Sequence, residues 1–116
     1  MSTDADVIIL GGGCAGLGLA CHLSQYGGRA PRTVVLEQRN EYRNDRTWCF
    51  WMHPSAQLTH LVRRRWAKVS LASPTERVFV DCPEFPYALL PSGGFYQDNR
   101  ECIALSERVR LAMGVS

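Results

Sequence analysis

The 116-residue sequence has no Cys-x-x-Cys pair, no internal repeat, no low-complexity linker and no strong excess of charge of either sign. Its five cysteines, Cys14, Cys21, Cys49, Cys82 and Cys102, are odd in number and widely spaced. That pattern predicts reduced thiols in a cytoplasmic chain rather than a disulfide scaffold. Neither Cys21 with His22 nor His53 with His60 follows the spacing of a zinc site, so no metal centre is expected. A net charge of +2 leaves no electrostatic footprint for nucleic acid, and the one basic cluster, Arg63, Arg64 and Arg65, reads as the solvated face of a helix. No apolar run approaches the roughly 18 residues that a membrane-spanning helix requires. The first apolar block, Val7 to Leu10, follows Asp4 and Asp6, which does not fit a signal peptide.

What is present suits one small packed domain. Apolar residues make up 46% and charged residues 21%, near the average for globular chains. The length is short for an enzyme with separate cofactor and substrate regions. Residues 5–10 form a β-branched block that reads as a buried parallel strand. From Cys14 to about Tyr26 the pattern is helical, with Leu17 and Cys21 on one side and Gly27-Gly28 as the stop. Residues 33–36, Thr-Val-Val-Leu, form a second strand ending at Glu37. After a polar loop over 40–45 comes an aromatic patch of Trp48, Phe50 and Trp51. Pro54 with Leu58, Leu61, Val62 and Trp66 predicts a helix. Ala67, Val69 and Leu71, then Val78 and Val80 beyond Ser73-Pro74-Thr75, predict an antiparallel hairpin. Asp98 is placed to cap a last helix that turns Cys102, Leu105, Val109 and Met113 to the core and stops at Gly114. A lone β-α-β unit would leave a parallel edge unpaired, and the chain stops where a next strand would begin. The expectation is therefore a single incomplete domain over residues 1–116, the amino-terminal portion of a larger protein.

The stretch "VIILGGGCAGLGLACHL" at residues 7–23 carries the chemistry. Gly11, Gly13 and Gly16 supply G-x-G-x-x-G: a tight turn out of the strand, room for the backbone to approach a pyrophosphate, and close packing of helix on strand. Cys14 and Ala15 open the helix, whose N–H groups and positive dipole end favour phosphate. Ala20 keeps the helix face small. Glu37 ends the second strand about 20 residues after the loop, where a ribose-binding carboxylate belongs. A carboxylate there accepts ribose hydroxyls and repels a 2′-phosphate; its rival reading is an ordinary exposed strand-end acid. The fold class is therefore α/β, the amino-terminal part of an FAD/NAD(P)-binding Rossmann-like fold with an added antiparallel hairpin.

Three later stretches narrow the dinucleotide. "NDRTWCFW" at 44–51 resembles the bacterial lycopene cyclase family, whose members carry Thr-Trp-x-Phe soon after the second strand of an FAD-binding unit; Thr47, Trp48 and Phe50 stand in those places. "LVRRRW" at 61–66 is similar to the family's Leu-Val-x-x-x-Trp, and "PYALLPSGGFY" at 86–96 to its tyrosine-containing strand and following helix. The resemblance implies a flavoprotein that uses reduced FAD to cyclise the ends of a linear carotenoid such as lycopene without net redox change, a carboxylic acid protonating the terminal double bond. It also implies an apolar substrate reached from lipid, hence a cytoplasmic protein with peripheral contact at the inner membrane. Ring faces attract a carbocation, a role open to Trp48, Phe50 and Trp51; the other reading is that Trp48 and Phe50 fill a core on one side of a strand. Arg46 is a candidate for paired contacts to the flavin pyrophosphate, or a plain surface arginine.

The sequence also departs from the family. Its catalytic acidic motif lies further along, and nothing selects Glu76, Glu84 or Glu101 in its place, so no catalytic residue is assigned. Asn44, Asp45 and Arg46 stand where members carry an acid and a glycine pair. The connector "GGRAPR" at 27–32 is longer than a tight turn, implying an early helix end or a bulge. By itself the chain is expected to bind FAD weakly, if at all, and to cyclise nothing. Two further readings stay open: another flavin-dependent oxidoreductase or hydroxylase, and a non-catalytic nucleotide-binding remnant.

Overall fold

The computed structural model describes residues 4–116. In chain order its elements are β1 (Val7–Leu10), α1 (Cys14–Ser24), β2 (Thr33–Glu37), β3 (Thr47–Trp51), β4 (Arg64–Trp66), β5 (Lys68–Ala72), β6 (Arg77–Asp81), β7 (Tyr87–Pro91), α2 (Ser92–Ala104) and β8 (Val109–Met113), with a 3₁₀ turn at Gly27–Arg29. They form two compact units, one running to Arg43 and resuming at Gly93–Ser116, the other Asn44–Ser92.

The first unit holds a parallel sheet in the order β1-β2-β8, the amino-terminal part of a Rossmann-like α/β fold. Its centre is β2, a β-branched run in which Thr33, Val34 and Val35 are all buried. Against β1 and β2 packs α1, with Leu17 and the small Ala20 fully buried. Burying a leucine side chain is worth about 1.5–3 kcal/mol relative to leaving it exposed. The helix ends at Ser24, short of Tyr26, and Gly27 at φ +59° turns the chain into the 3₁₀ turn, which is how the long connector is accommodated.

Three expectations fail here. β1 is not buried throughout: Ile8 and Leu10 are 61% and 82% exposed, because α1 covers only the face that carries Ile9. The last helix begins at Ser92 rather than at Asp98, which lies inside it, and ends at Ala104. Ser106 then accepts the N–H groups of Arg108 and Val109, the chain turns, and Val109–Met113 becomes the third parallel strand, in register with Thr33–Glu37. The edge expected to lie unpaired on that side of β2 is thus filled, and pairing with β2 overrides a helical periodicity in Val109 and Met113. The third failure concerns the cysteines. Cys21 on α1 and Cys102 on α2 form a disulfide across 81 positions, whereas Cys14, Cys49 and Cys82 are free thiols. A pair that distant leaves no local spacing to read.

The second unit carries an antiparallel sheet in the order β3-β7-β4 and the hairpin β5-β6. The hairpin has the expected strands and turn, with Val69 opposite Val80 and Leu71 opposite Val78. Ser73 closes it, accepting the Thr75 and Glu76 N–H groups on its hydroxyl. The helix expected after Pro54 is absent. Isolated turns at 53–56 and 58–62 take its place, and Arg64–Trp66 instead joins the edge of β7, Arg63 N–H reaching the Leu89 carbonyl at 2.9 Å. A short helix is marginal alone, and a free strand edge offers a full set of backbone partners. Arg63, Arg64 and Arg65 remain exposed, Arg64 and Arg65 on the strand β4 and Arg63 just ahead of it, rather than on a helix. Among the described residues no helix is long and apolar enough to cross a membrane.

Replacing Leu17 by alanine is expected to cost about 2–5 kcal/mol of stability, and Leu71→Ala on the exposed hairpin face less than about 0.5 kcal/mol. Urea denaturation midpoints of the two variants check this.

Candidate functional site

The loop between β1 and α1 is shaped by three different demands on its glycines. Gly11 takes φ +97°, a left-handed conformation that lets the chain leave the strand, and its N–H bonds to the Leu36 carbonyl at 2.9 Å. At Gly13, which caps α1 in an extended conformation without any side-chain cap, an added Cβ would meet no protein atom within 4 Å. The space over Gly13 is therefore open to a ligand. Gly16 is the opposite case: an added Cβ would run into the Gly11 carbonyl oxygen and lie 3.2 Å from Ile9 Cγ2. Helix and strand meet there at backbone distance, as the sequence spacing predicts. Cys14 and Ala15 are exposed at the helix start. Partial desolvation at the helix start pushes the Cys14 thiol up from its ordinary value.

Glu37 is only 6% exposed, which overturns its reading as a surface acid. A buried carboxylate needs partners, and this one has them. Oε1 accepts the Gly12 N–H and Oε2 the Arg39 N–H, each at 3.0 Å, with Arg39 Nε 3.9 Å away. Burial alone would raise its pKa; the Arg39 and Gly12 N–H groups and the Arg39 guanidinium outweigh it and hold the carboxyl below its ordinary value. Each carboxylate oxygen keeps a further lone pair, enough to accept two hydroxyls while the protein contacts stay in place. A cavity of about 330 Å³ opens beside it, lined by Leu10, Gly11, Leu36, Glu37 and Val115 among others.

Sequence reasoning missed two members of this cluster. Gly12, the middle glycine, is clamped from both sides, its carbonyl accepting the Tyr42 hydroxyl at 2.7 Å. Tyr42 lies in the segment read as a plain polar loop; its being the only aromatic residue there was the available signal.

Arg46 belongs to the second unit, whereas the loop residues and Glu37 belong to the first. Its side chain is exposed, and its backbone pairs with Ser92, the N–H to Oγ at 3.0 Å and the carbonyl to the Ser92 N–H at 2.9 Å. In β3, Trp48 and Phe50 are half-buried opposite Leu90 and Ala88, both buried, so they pack on the inner face of the sheet. Trp51 points the other way. It is 46% exposed and in register with Tyr87 and Trp66, at ring separations of 4.8 Å to Tyr87 and 6.4 Å between Tyr87 and Trp66.

Comparison with known proteins agrees with this architecture. The chain matches the lycopene cyclase protein family over residues 6–112. Among solved structures, p-nitrophenol 4-monooxygenase from Pseudomonas putida DLL-E4 superposes with a TM-score of 0.71 at 19% identity, over 98% of this chain and 33% of that one. PqsL, a probable FAD-dependent monooxygenase from Pseudomonas aeruginosa, gives 0.69 at 19%, over 95% and 33%. The flavin-dependent monooxygenase PieE, solved with FAD and substrate, gives 0.67 at 16%, over 97% and 24%. The chain thus spans about a third or less of the length of these structures. No curated protein sequence matches it.

Two measurements test the site. Gly16→Ala is expected to lower the melting temperature by several degrees, since the methyl meets backbone rather than a movable side chain. Because the folded pKa of Glu37 is depressed, its contribution to stability is fully present above the ordinary value of 4.5 and is lost as pH falls through the folded value. Melting temperatures from pH 7 to 3 should therefore fall more steeply for the wild type than for Glu37→Gln.

Proposed function

The chain belongs to the lycopene cyclase family, and on that premise we propose that it is the FAD-binding amino-terminal part of a flavoprotein that closes rings at the ends of a linear carotenoid. The observation that carries the reading is the open backbone at Gly13 beside the buried, still accepting carboxylate of Glu37, followed by the Thr47-Trp48-x-Phe50 segment. The residues present fit an adenosine dinucleotide. Gly11, Gly13, Cys14, Ala15 and Gly16 form the turn and helix start that hold its diphosphate, and Glu37 holds the ribose hydroxyls and repels a 2′-phosphate. When bound, reduced FAD supplies stabilisation of cationic character during ring closure with no net oxidation. The row of Trp51, Tyr87 and Trp66, with both tryptophans exposed and Tyr87 half-buried, gives the second unit a ring-faced surface suited to an apolar chain that carries positive charge. Such a substrate is reached from lipid, which fits a protein in peripheral contact with a membrane. None of Glu76, Glu84 and Glu101 is assigned as the protonating acid; all three are exposed.

A second reading has its own support. The solved structures of similar fold include monooxygenases, which favours a flavin-dependent hydroxylase on the same frame. The two separate in one experiment on the full reading frame that carries this chain. Reduced FAD with lycopene should yield cyclic product, whereas nicotinamide-driven hydroxylation would favour the second reading, and a flavin-loaded protein that forms no rings would count against the first. Gly13→Val is expected to keep the fold, since its side chain begins in open space on extended backbone, and to lose the yellow colour of bound flavin. Unchanged colour would mean that the loop holds no diphosphate.

A further inference from the structure

The middle of the glycine loop is held from both sides by side chains. Gly12 donates its N–H to Glu37 Oε1 at 3.0 Å, and its carbonyl accepts the Tyr42 hydroxyl at 2.7 Å. The peptide that joins Gly12 to Gly13 is trans and planar. Fixing its carbonyl towards Tyr42 therefore fixes the Gly13 N–H on the opposite side. That N–H opens α1 at the residue over which the space is free of protein. The Tyr42 ring is itself fixed. It packs on Tyr96 with centroids 4.6 Å apart, and the guanidinium carbons of Arg39 and Arg100 each lie 5.4 Å from its centre. An ordered ring of this kind holds its hydroxyl on one acceptor.

We propose that Tyr42 is a positioning residue for the diphosphate of a bound adenosine dinucleotide, its phenol anchoring the Gly12 carbonyl so that the Gly13 N–H is presented to the ligand. The inference rests on the dinucleotide-binding reading above and adds a residue that the glycine pattern does not contain. Tyr42 touches no phosphate; it acts through one peptide plane. Burial, reinforced by the Glu37 charge and opposed by Arg39 and Arg100, pushes the phenol up to about 12, so the donor stays protonated across the working pH range.

The test compares ADP and FAD titrations of the full-length protein that carries this chain, wild type and Tyr42→Phe, with the Gly13 amide resonance followed in the ligand-free state. Tyr42→Phe keeps the ring between its guanidinium neighbours and removes one donor. It is expected to weaken ADP and FAD about 3- to 10-fold, the range for one hydrogen bond, and to broaden the Gly13 amide with little change in melting temperature. Equal affinity beside a lowered melting temperature would make Tyr42 a structural brace and overturn the proposal. Gly12→Ala probes the same contact independently, because its methyl lands on the phenol oxygen while its other neighbours stay at 3.4 Å or beyond. It should weaken ADP to a similar degree, and wild-type affinity in a folded Gly12→Ala would also overturn the proposal. A wild-type full-length protein that binds neither ADP nor FAD overturns the dinucleotide reading and this inference together; one that binds while both variants bind equally well overturns this inference alone.

Discussion

A charged carboxylate buried at the end of the central strand is the constraint around which the first unit is arranged. Glu37 can stay ionised at 6% exposure only if donors replace the water it has lost. Those donors come from two directions, Gly12 on the loop ahead of α1 and Arg39 on the chain leaving β2. Satisfying one side chain thus ties the exit of β1 to the exit of β2. The continuation of β8 closes the same corner, with Val115 N–H on the Glu37 carbonyl at 3.0 Å and Gly114 N–H on the Arg39 carbonyl at 2.8 Å. A loop fixed this way is preorganised, and a ligand that binds there need not order the backbone it contacts.

Features governed by short-range sterics could be read from the residues. The β1-loop-α1-β2 order follows from a β-branched run, glycines at fixed offsets and a second β-branched run, and Ser73-Pro74-Thr75 marks its hairpin without outside help. Where tertiary pairing decides, the sequence misleads. Leu58, Leu61 and Val62 have helical spacing, yet the open edge of β7 draws the following residues into a strand. Val109 and Met113 continue the spacing of Cys102 and Leu105, yet β2 offers a parallel edge and Ser106 ends the helix first. The Cys21–Cys102 pair has no local signature because its two halves are brought together by helix placement.

The candidate site divides in the same way. Gly11, Gly13 and Gly16 each meet the demand that their positions announce, because each demand involves only the loop and the elements next to it. Glu37 is legible as a strand-end acid but not as a buried one, since its burial depends on residues at 12, 39 and 115. Tyr42 stands out locally only as the one aromatic residue of its loop, and its role depends on a contact 30 positions away. Among the aromatics, alternation separates Trp48 and Phe50 from Trp51, and only pairing with β7 and β4 shows Trp51 aligned with Tyr87 and Trp66.

The Cys21–Cys102 bond encloses every residue of the second unit in one covalent ring of the chain. A single backbone break anywhere between Asn44 and Ser92 therefore leaves one molecule rather than two while the bond is oxidised. The two parts of the first unit, which lie on either side of that insertion in sequence, then remain joined by a link that does not pass through it. The parallel sheet that both parts build, with β1 and β2 from one and β8 from the other, keeps its strands on a common tether even when the polypeptide between them is cut.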